Sequence, residues 1–336
     1  NGANMMGAYL HSADLTKADL SAANFSDAYL VKVNFTQTNL RGTNLSGANL
    51  TDAQLTEADL SNANLENTNL TRANLANARL EGVDLSHSIL FHTNLRGALI
   101  NQAKLRTAHL CFVIEPGGKV SDCDLTGVNL SKLDLNDISL VGAQLSQANL
   151  RDAYLSHANL SSINLSGANL SGAILTGVNL TSADLSGASL IGANLSGFDT
   201  KMRGATLRNA NLSDAKLSGA DLSESNLQGA ILISADFSGV FMNGVYLRGA
   251  NLEGAVLKGA DLREADLSRT ILNYADLSST NLSKVNFEYS DLVGVLLNNA
   301  NLSDANLTSV YMSGAGTSLR EANLQNAKLI NSYLRN

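Results

Sequence analysis

Leucine recurs at every fifth position through most of this chain. Between Ala158 and Leu195 it stands at Leu160, Leu165, Leu170, Leu175, Leu180, Leu185, Leu190 and Leu195, usually with a small residue two places earlier and often Asn or Asp between. A period of five matches neither a helix, about 3.6, nor a strand, 2, so the ordinary amphipathic readings fail. Self-similarity of this kind points first to a repeat architecture.

One five-residue unit cannot bury a leucine by itself. Coils stacked at the inter-strand spacing of about 4.8 Å can pair their backbones and build a continuous leucine column. The small residue, as at Ala13, Ala18, Ala23, Ala28, Val33, Thr38 and Thr43, leaves room for the leucines at the axis. The motif A(N/D)LXX, held over nearly the whole chain, resembles the pentapeptide-repeat family. That resemblance implies an all-β fold, a right-handed quadrilateral parallel β-solenoid with one pentapeptide per side and four per coil. In it Leu160, Leu165, Leu170 and Leu175 occupy successive sides and Leu180 returns above Leu160. A core this regular leaves no cavity, and no cofactor is expected.

By length a chain of 336 residues would suggest about two domains. Nearest-neighbour stacking lets a solenoid grow without splitting, so residues 1–336 read as one elongated rod. At about 20 residues per coil it makes roughly 16 or 17 coils, on the order of 80 Å long. Charged residues are sparse at 16%, with a net charge of −7. Residues 121–200 carry seven acids (Asp122, Asp124, Asp134, Asp137, Asp152, Asp184, Asp199) against two bases, Lys132 and Arg151. Nothing basic is concentrated enough to grip phosphate, so direct nucleic-acid binding is not expected. No apolar run is long enough to span a membrane, and no signal-peptide pattern opens the chain. The Asn-Leu-Ser and Asn-Leu-Thr sequons at Asn44, Asn49 and Asn69 would obstruct the faces if glycosylated, which favours a cytoplasmic setting.

The register holds from Met5 to Leu110, with Phe25, Phe35 and Ile100 in leucine slots. Residues 111–124 break it. Glu115 would fall inward, where an unpaired carboxylate is expensive, and the only proline, Pro116, precedes Gly117 and Gly118. This reads as an extruded loop. Leu133 and Ile138 are large for the small slot; counted back by twenty residues they face Val113 and Gly118, and they read as filling space left by the irregular coil. Two-residue bulges are expected at 196–199 and 313–316, which share the form S-G-x-x-T-x-(M/L). The chain begins in register without an initiator Met, and only Arg335 and Asn336 follow Leu334. Open coil edges invite pairing, so a missing segment or an end-to-end homodimer is implied.

The chemistry-bearing residues are scattered. His11, His87, His92, His109 and His157 fall at outward positions, with no second histidine or consistent carboxylate at ligand spacing. Cys111 and Cys123 bracket the loop and could form a disulfide. Cys123 also occupies the inward small slot, where a free thiol packs as a small hydrophobe. No nucleophile elbow or phosphate-binding loop is present, and the chain reads as non-enzymatic.

The surface remains. The position before each central leucine, normally Asn or Asp, becomes Ile231, Phe241, Tyr246, Val256, Ile271 and Leu296 over a few coils, with Ile233 nearby. Clustered exposed apolar residues mark partner sites, although packing between neighbouring coils would also account for them. Tyr9 and Tyr29, twenty apart, raise the same question. The candidate interaction surface is therefore the loop Glu115, Pro116, Gly117 and Gly118 together with Ile231, Phe241, Tyr246 and Ile271. The function expected is a non-catalytic scaffold or protein interaction rod. The alternative, implied by the family resemblance, is an acidic DNA mimic that binds DNA gyrase and confers quinolone resistance.

Overall fold

The backbone of a closed coil must find a partner for every N–H, and one repeat shows how this sequence does it. The computed structural model describes residues 2–85, 87–90, 93–95, 98–99 and 125–335. In the repeat from Ala23 to Asp27, Asn24 N–H donates to Ala3 O of the preceding coil at 2.8 Å. Phe25 N–H donates to Asn44 O of the next at 2.7 Å, and Asp27 N–H to Ser46 O at 2.9 Å. Ala23 N–H closes a turn on Leu20 O at 3.1 Å. The fifth donor, Ser26 N–H, is taken by the side chain of Asn24, whose Oδ1 lies 3.1 Å away.

The corners follow from this pattern. Asp27 has φ +56 and Ala28 N–H returns to Phe25 O at 3.1 Å, the signature of a type II turn, which needs positive φ at its third residue. The same position is left-handed in repeat after repeat, at Ala22, Lys32 and Arg72 as well as at glycines. Glycine is therefore convenient at the corners, and the turn imposes the conformation whatever the residue.

These parallel steps, four pentapeptides each, wind a right-handed quadrilateral β-helix. Leucines and the small residues two before them point inward and are buried. Each buried leucine contributes roughly 1.5–3 kcal/mol relative to exposure. Hydroxyls in the small slot are tolerated because they find carbonyls: Thr43 Oγ1 donates to Leu40 O at 2.7 Å, and Thr68 Oγ1 to Leu45 O at 3.0 Å. No helix among the described residues is long and apolar enough to cross a membrane.

The chain divides into two units, Asn1–Tyr154 and Leu155–Asn336. In the first, Phe25 and Phe35 meet edge to face with centroids 6.0 Å apart, which is how two aromatic residues share a leucine column. Leu99 pairs with Asn129, thirty residues on. Val113 and Gly118, the residues that the twenty-residue count set against Leu133 and Ile138, lie outside the described residues. Leu133 and Ile138 themselves do point inward and are buried. Residues 100–124, with Ile100, His109, Cys111, Glu115, Pro116, Gly117, Gly118 and Cys123, lie outside the described residues, as does His92.

In the second unit Leu160 N–H donates to Asn179 O at 2.8 Å, which sets Leu180 beside Leu160 in the next coil. Leu160, Leu165, Leu170 and Leu175 are all buried on successive sides. The ladder step grows to twenty-two residues where Asn179 pairs with Lys201 and where Leu296 pairs with Ser318. In both places a threonine hydroxyl completes the ladder. Gly177 N–H donates to Thr200 Oγ1 at 2.9 Å and Gly294 N–H to Thr317 Oγ1 at 3.0 Å. At an ordinary corner this donor goes to a backbone carbonyl, as from Gly172 to Ile191; Gly294 keeps that bond, to Ser313 O at 2.9 Å, whereas Gly177 has the hydroxyl in its place. Gly197 is required in its bulge, since φ is +122 and a Cβ there would come within 2.7 Å of Asp199 Oδ1. Near the end of the unit, β1 (Tyr311–Ser313) pairs in parallel with β2 (Tyr333–Arg335).

Four variants have expected outcomes in thermal or urea melts. Leu170→Asp places a charge in the column and should destabilise the second unit by about 4 kcal/mol or more. Asn169→Asp should be nearly silent, because Asn169 Oδ1 accepts Ser171 N–H at 3.1 Å and a carboxylate does the same. Thr200→Val should cost about 1–3 kcal/mol by orphaning Gly177 N–H, and Thr200→Ser should restore most of it. Equal melts for the valine and serine variants would refute the role given to the hydroxyl.

Candidate interaction surface

The Asn or Asp before each leucine has a defined task, accepting the N–H two residues on. Asp184 does so for Ser186 at 2.9 Å, Asn211 for Ser213 at 3.0 Å and Asp236 for Ser238 at 2.9 Å. Asparagines in line also bond to one another, as Asn306 Nδ2 does to Asn286 Oδ1 at 3.0 Å. An apolar residue at this position gives up both bonds. Ile231, Phe241, Tyr246 and Ile271 are thus departures at the expense of local hydrogen bonding, and all four are exposed, by 39%, 45%, 51% and 40%.

The structure distributes these four over three sides of the second unit. Phe241 pairs with Asp221 and Asp261 on the side begun by Asn159, here side one. Tyr246 lies on side two, between Asn226 and Asp266. Ile231 and Ile271 share side three with Asn251 between them, and the same line continues to Tyr311 and Tyr333. Val256 and Leu296 are on side four, flanking Asp276. Nearness along the chain thus did not mean a shared surface. The pertinent sequence signal was the spacing of forty between Ile231, Ile271 and Tyr311, two coils at a time, and it went unused.

The corner between sides one and two is charged and internally matched. Arg203 meets Glu224 at 2.7 Å, Lys284 meets Glu264 at 3.1 Å and Arg263 meets Asp261 at 2.6 Å. The Arg263 guanidinium, bonded to the Asp261 carboxylate, holds it below the usual aspartate range despite partial burial. That stabilisation is present above the ordinary aspartate value and is lost as pH falls through the depressed one. Exposed pairs of this kind contribute at most about 1 kcal/mol.

The remaining candidates stay dispersed. His157 Nδ1 lies 3.6 Å from Asp199 Oδ2, a carboxylate the two-residue bulge carries to it and that regular spacing does not supply. His11 stacks on Tyr29, whose ring centroid is 5.5 Å from that of Tyr9. Among the described residues no three His, Cys, Asp or Glu side chains are grouped to hold a metal ion.

The repeat has counterparts among known proteins. The sequence model for pentapeptide repeats (8 copies) matches residues 1–106 and 123–336 in successive spans. The chain belongs to the pentapeptide-repeat family. Among solved structures, this pentapeptide-repeat chain is similar to HetL, a protein involved in heterocyst differentiation regulation in the cyanobacterium Nostoc sp. The identity is 37%, over 62% of this chain and 90% of that one, with a TM-score of 0.33. A pentapeptide repeat protein of the Arabidopsis thaliana thylakoid lumen is 36% identical over 27% of this chain and 63% of its own, with a TM-score of 0.26. A trypsin-treated form of QnrB1, a plasmid-mediated fluoroquinolone resistance protein, is 18% identical over 60% and 92%, with a TM-score of 0.39. Among curated proteins, none matches.

If Ile231 is a departure from the hydrogen-bonded ladder, restoring asparagine should stabilise. Ile231→Asn would stand between Asn211 and Asn251 and accept Ile233 N–H. A gain of about 0.5–1 kcal/mol is expected in urea melts, and a loss of more than that would show that Ile231 packs as part of the ladder.

Proposed function

We propose that this pentapeptide-repeat chain is a non-catalytic interaction rod whose flat solenoid sides carry binding surfaces for other proteins. The observation that carries this reading is the set of apolar residues at ladder positions, where they forgo a hydrogen bond the fold otherwise uses. A filled core and outward, non-converging side chains also suit surface recognition better than enclosure of a small substrate. The segment around Glu115 to Gly118 is included in the proposal on sequence grounds, as the one stretch containing proline.

The DNA-mimic reading, with gyrase as the partner, calls for a continuous acidic face. The described acids of residues 121–200 fall at ladder positions (Asp134, Asp184), at corners (Asp137, Asp152) and in a bulge (Asp199), and this scatter favours the interaction rod. A cytoplasmic setting is proposed on sequence grounds, since glycans at the sequon asparagines Asn44, Asn49 and Asn69 would obstruct the solenoid faces. Leu324, Leu329 and Leu334 are exposed at the final coil. A second copy stacked end to end or further sequence would cover them alike.

Binding should separate from stability. Phe241→Asn and Ile271→Asn are each expected to leave the melting transition within about 1 kcal/mol of the parent while at least one weakens capture of a partner from extracts of the source organism. Failure of the parent chain to retain any protein, or turnover of a small molecule by it, would overturn the reading. Stoichiometric inhibition in a gyrase supercoiling assay would shift the assignment to the DNA mimic.

A further inference from the structure

Side three of the second unit differs from the other sides in what it exposes and in how its edges are charged. Ile231, Ile271, Tyr311 and Tyr333 line it, each exposed, and the last two rings stack with centroids 5.0 Å apart and planes 6° from parallel. At about 4.8 Å per coil, Ile231, Ile271 and Tyr311 recur roughly every 9.6 Å, and the strip to Tyr333 runs about 24 Å. Tyr274 stands at one edge beside Ile271 and Tyr289 at the other beside Asp291, both exposed. Tyr274 lies across Gly294, where an added Cβ would come within 2.6 Å of its ring. Asp291, between Ile271 and Tyr311, is half-buried at its ladder position: Oδ2 accepts from Asn273 at 3.2 Å, and Oδ1 is buried without a partner.

The edges carry opposite charge. The corner from side two bears Arg208, Arg248 and Arg269, with Glu288 as its acid, while the corner toward side four bears Asp214 and Glu253. None of these forms an ion pair among the described residues. The cations Arg203, Arg263 and Lys284 on the corner between sides one and two are all paired. Arg269 is held over the Tyr289 ring at 5.5 Å, which orders it at the rim of the strip.

We propose that side three is the seat of an amphipathic helix from a partner protein, apolar toward the strip, acidic along the flank facing the arginines and basic along the other. This rests on the reading of the chain as an interaction rod. A strand is the poorer occupant, because the rungs of this face are already paired on both sides, as Asn251 is with Ile231 and Ile271, and strand addition needs a free edge. A helix satisfies its own backbone and packs on a sheet face. Two helical turns advance about 10.8 Å, close to the two-coil recurrence of the apolar residues, and the strip accommodates about 16 residues.

The test uses the full chain and three stapled helical peptides of about 16 residues with one shared leucine face. The first has glutamates on one flank and lysines on the other, the second has the same charges mixed, and the third has lysines throughout. Fluorescence anisotropy should show the segregated peptide binding about ten-fold more tightly than the other two. Ile231→Asn with Ile271→Asn, a pair chosen because it restores ladder bonds, should weaken it by about ten-fold with no loss of melting temperature. Arg248→Glu with Arg269→Glu should do the same and remove the preference for segregated charge. No binding by any peptide, or equal binding by all three, would overturn the proposal. Loss on Phe241→Asn, with side-three variants unaffected, would preserve the interaction rod and overturn the choice of side. Sedimentation showing a dimer that Ile271→Asn dissociates would assign the strip to a second copy of the chain, and would likewise overturn it.

Discussion

The structure depends on one demand, a partner for every backbone N–H in a coil too tight for ordinary strands. Five donors per repeat are divided among two neighbouring coils, one turn and one side chain. Because the side chain belongs to the Asn or Asp before the leucine, that residue is as much a part of the backbone ladder as the peptide groups. The leucine column then follows from geometry: a turn with positive φ every fifth residue directs one large and one small side chain inward on each side. Burial supplies the driving force, and the donor accounting determines the shape.

The bulges obey the same demand. Two extra residues carry the usual backbone acceptor away from Gly177, and the hydroxyl of Thr200 takes its place, while Gly294 keeps Ser313 O and gains the Thr317 hydroxyl as a second acceptor. That explains why threonine belongs to the shared S-G-x-x-T form, which as a bare pattern marks only an interruption. A bulge also changes its neighbourhood, as the approach of Asp199 to His157 shows.

The fold was legible because a period of five rules out helix and strand and the A(N/D)LXX motif resembles a family whose four repeats per coil imply the inward positions from Leu160 to Leu180. The role of the ladder asparagines was not legible, since it depends on where Asn24 Oδ1 lies relative to Ser26 N–H, a relation set by the turn. The surface was half legible. Ile231, Phe241, Tyr246 and Ile271 stand out in the sequence as apolar departures, yet grouping them by proximity along the chain joined residues from three sides. A count modulo one coil, corrected for each two-residue bulge, separates them and connects Ile271 to Tyr311 and Tyr333 instead. Tyr274 and Tyr289 escape any count of ladder positions because they occupy the left-handed corners.

In a fold this repetitive, information resides in the exceptions. A side that carries asparagine at every rung stabilises itself by side-chain ladders and presents a uniform polar surface, with little to distinguish one partner from another. Replacing an asparagine by isoleucine forgoes about one hydrogen bond, typically 0.5–1.5 kcal/mol, and leaves apolar area in water that only association can cover. A solenoid tolerates a few such losses because stability is summed over many coils. Where they recur every second coil on one side, with rings at the edges and opposite charges along the rims, the losses reinforce one another as recognition. The regular part of the chain is then best understood as the scaffold that makes those few irregular residues affordable.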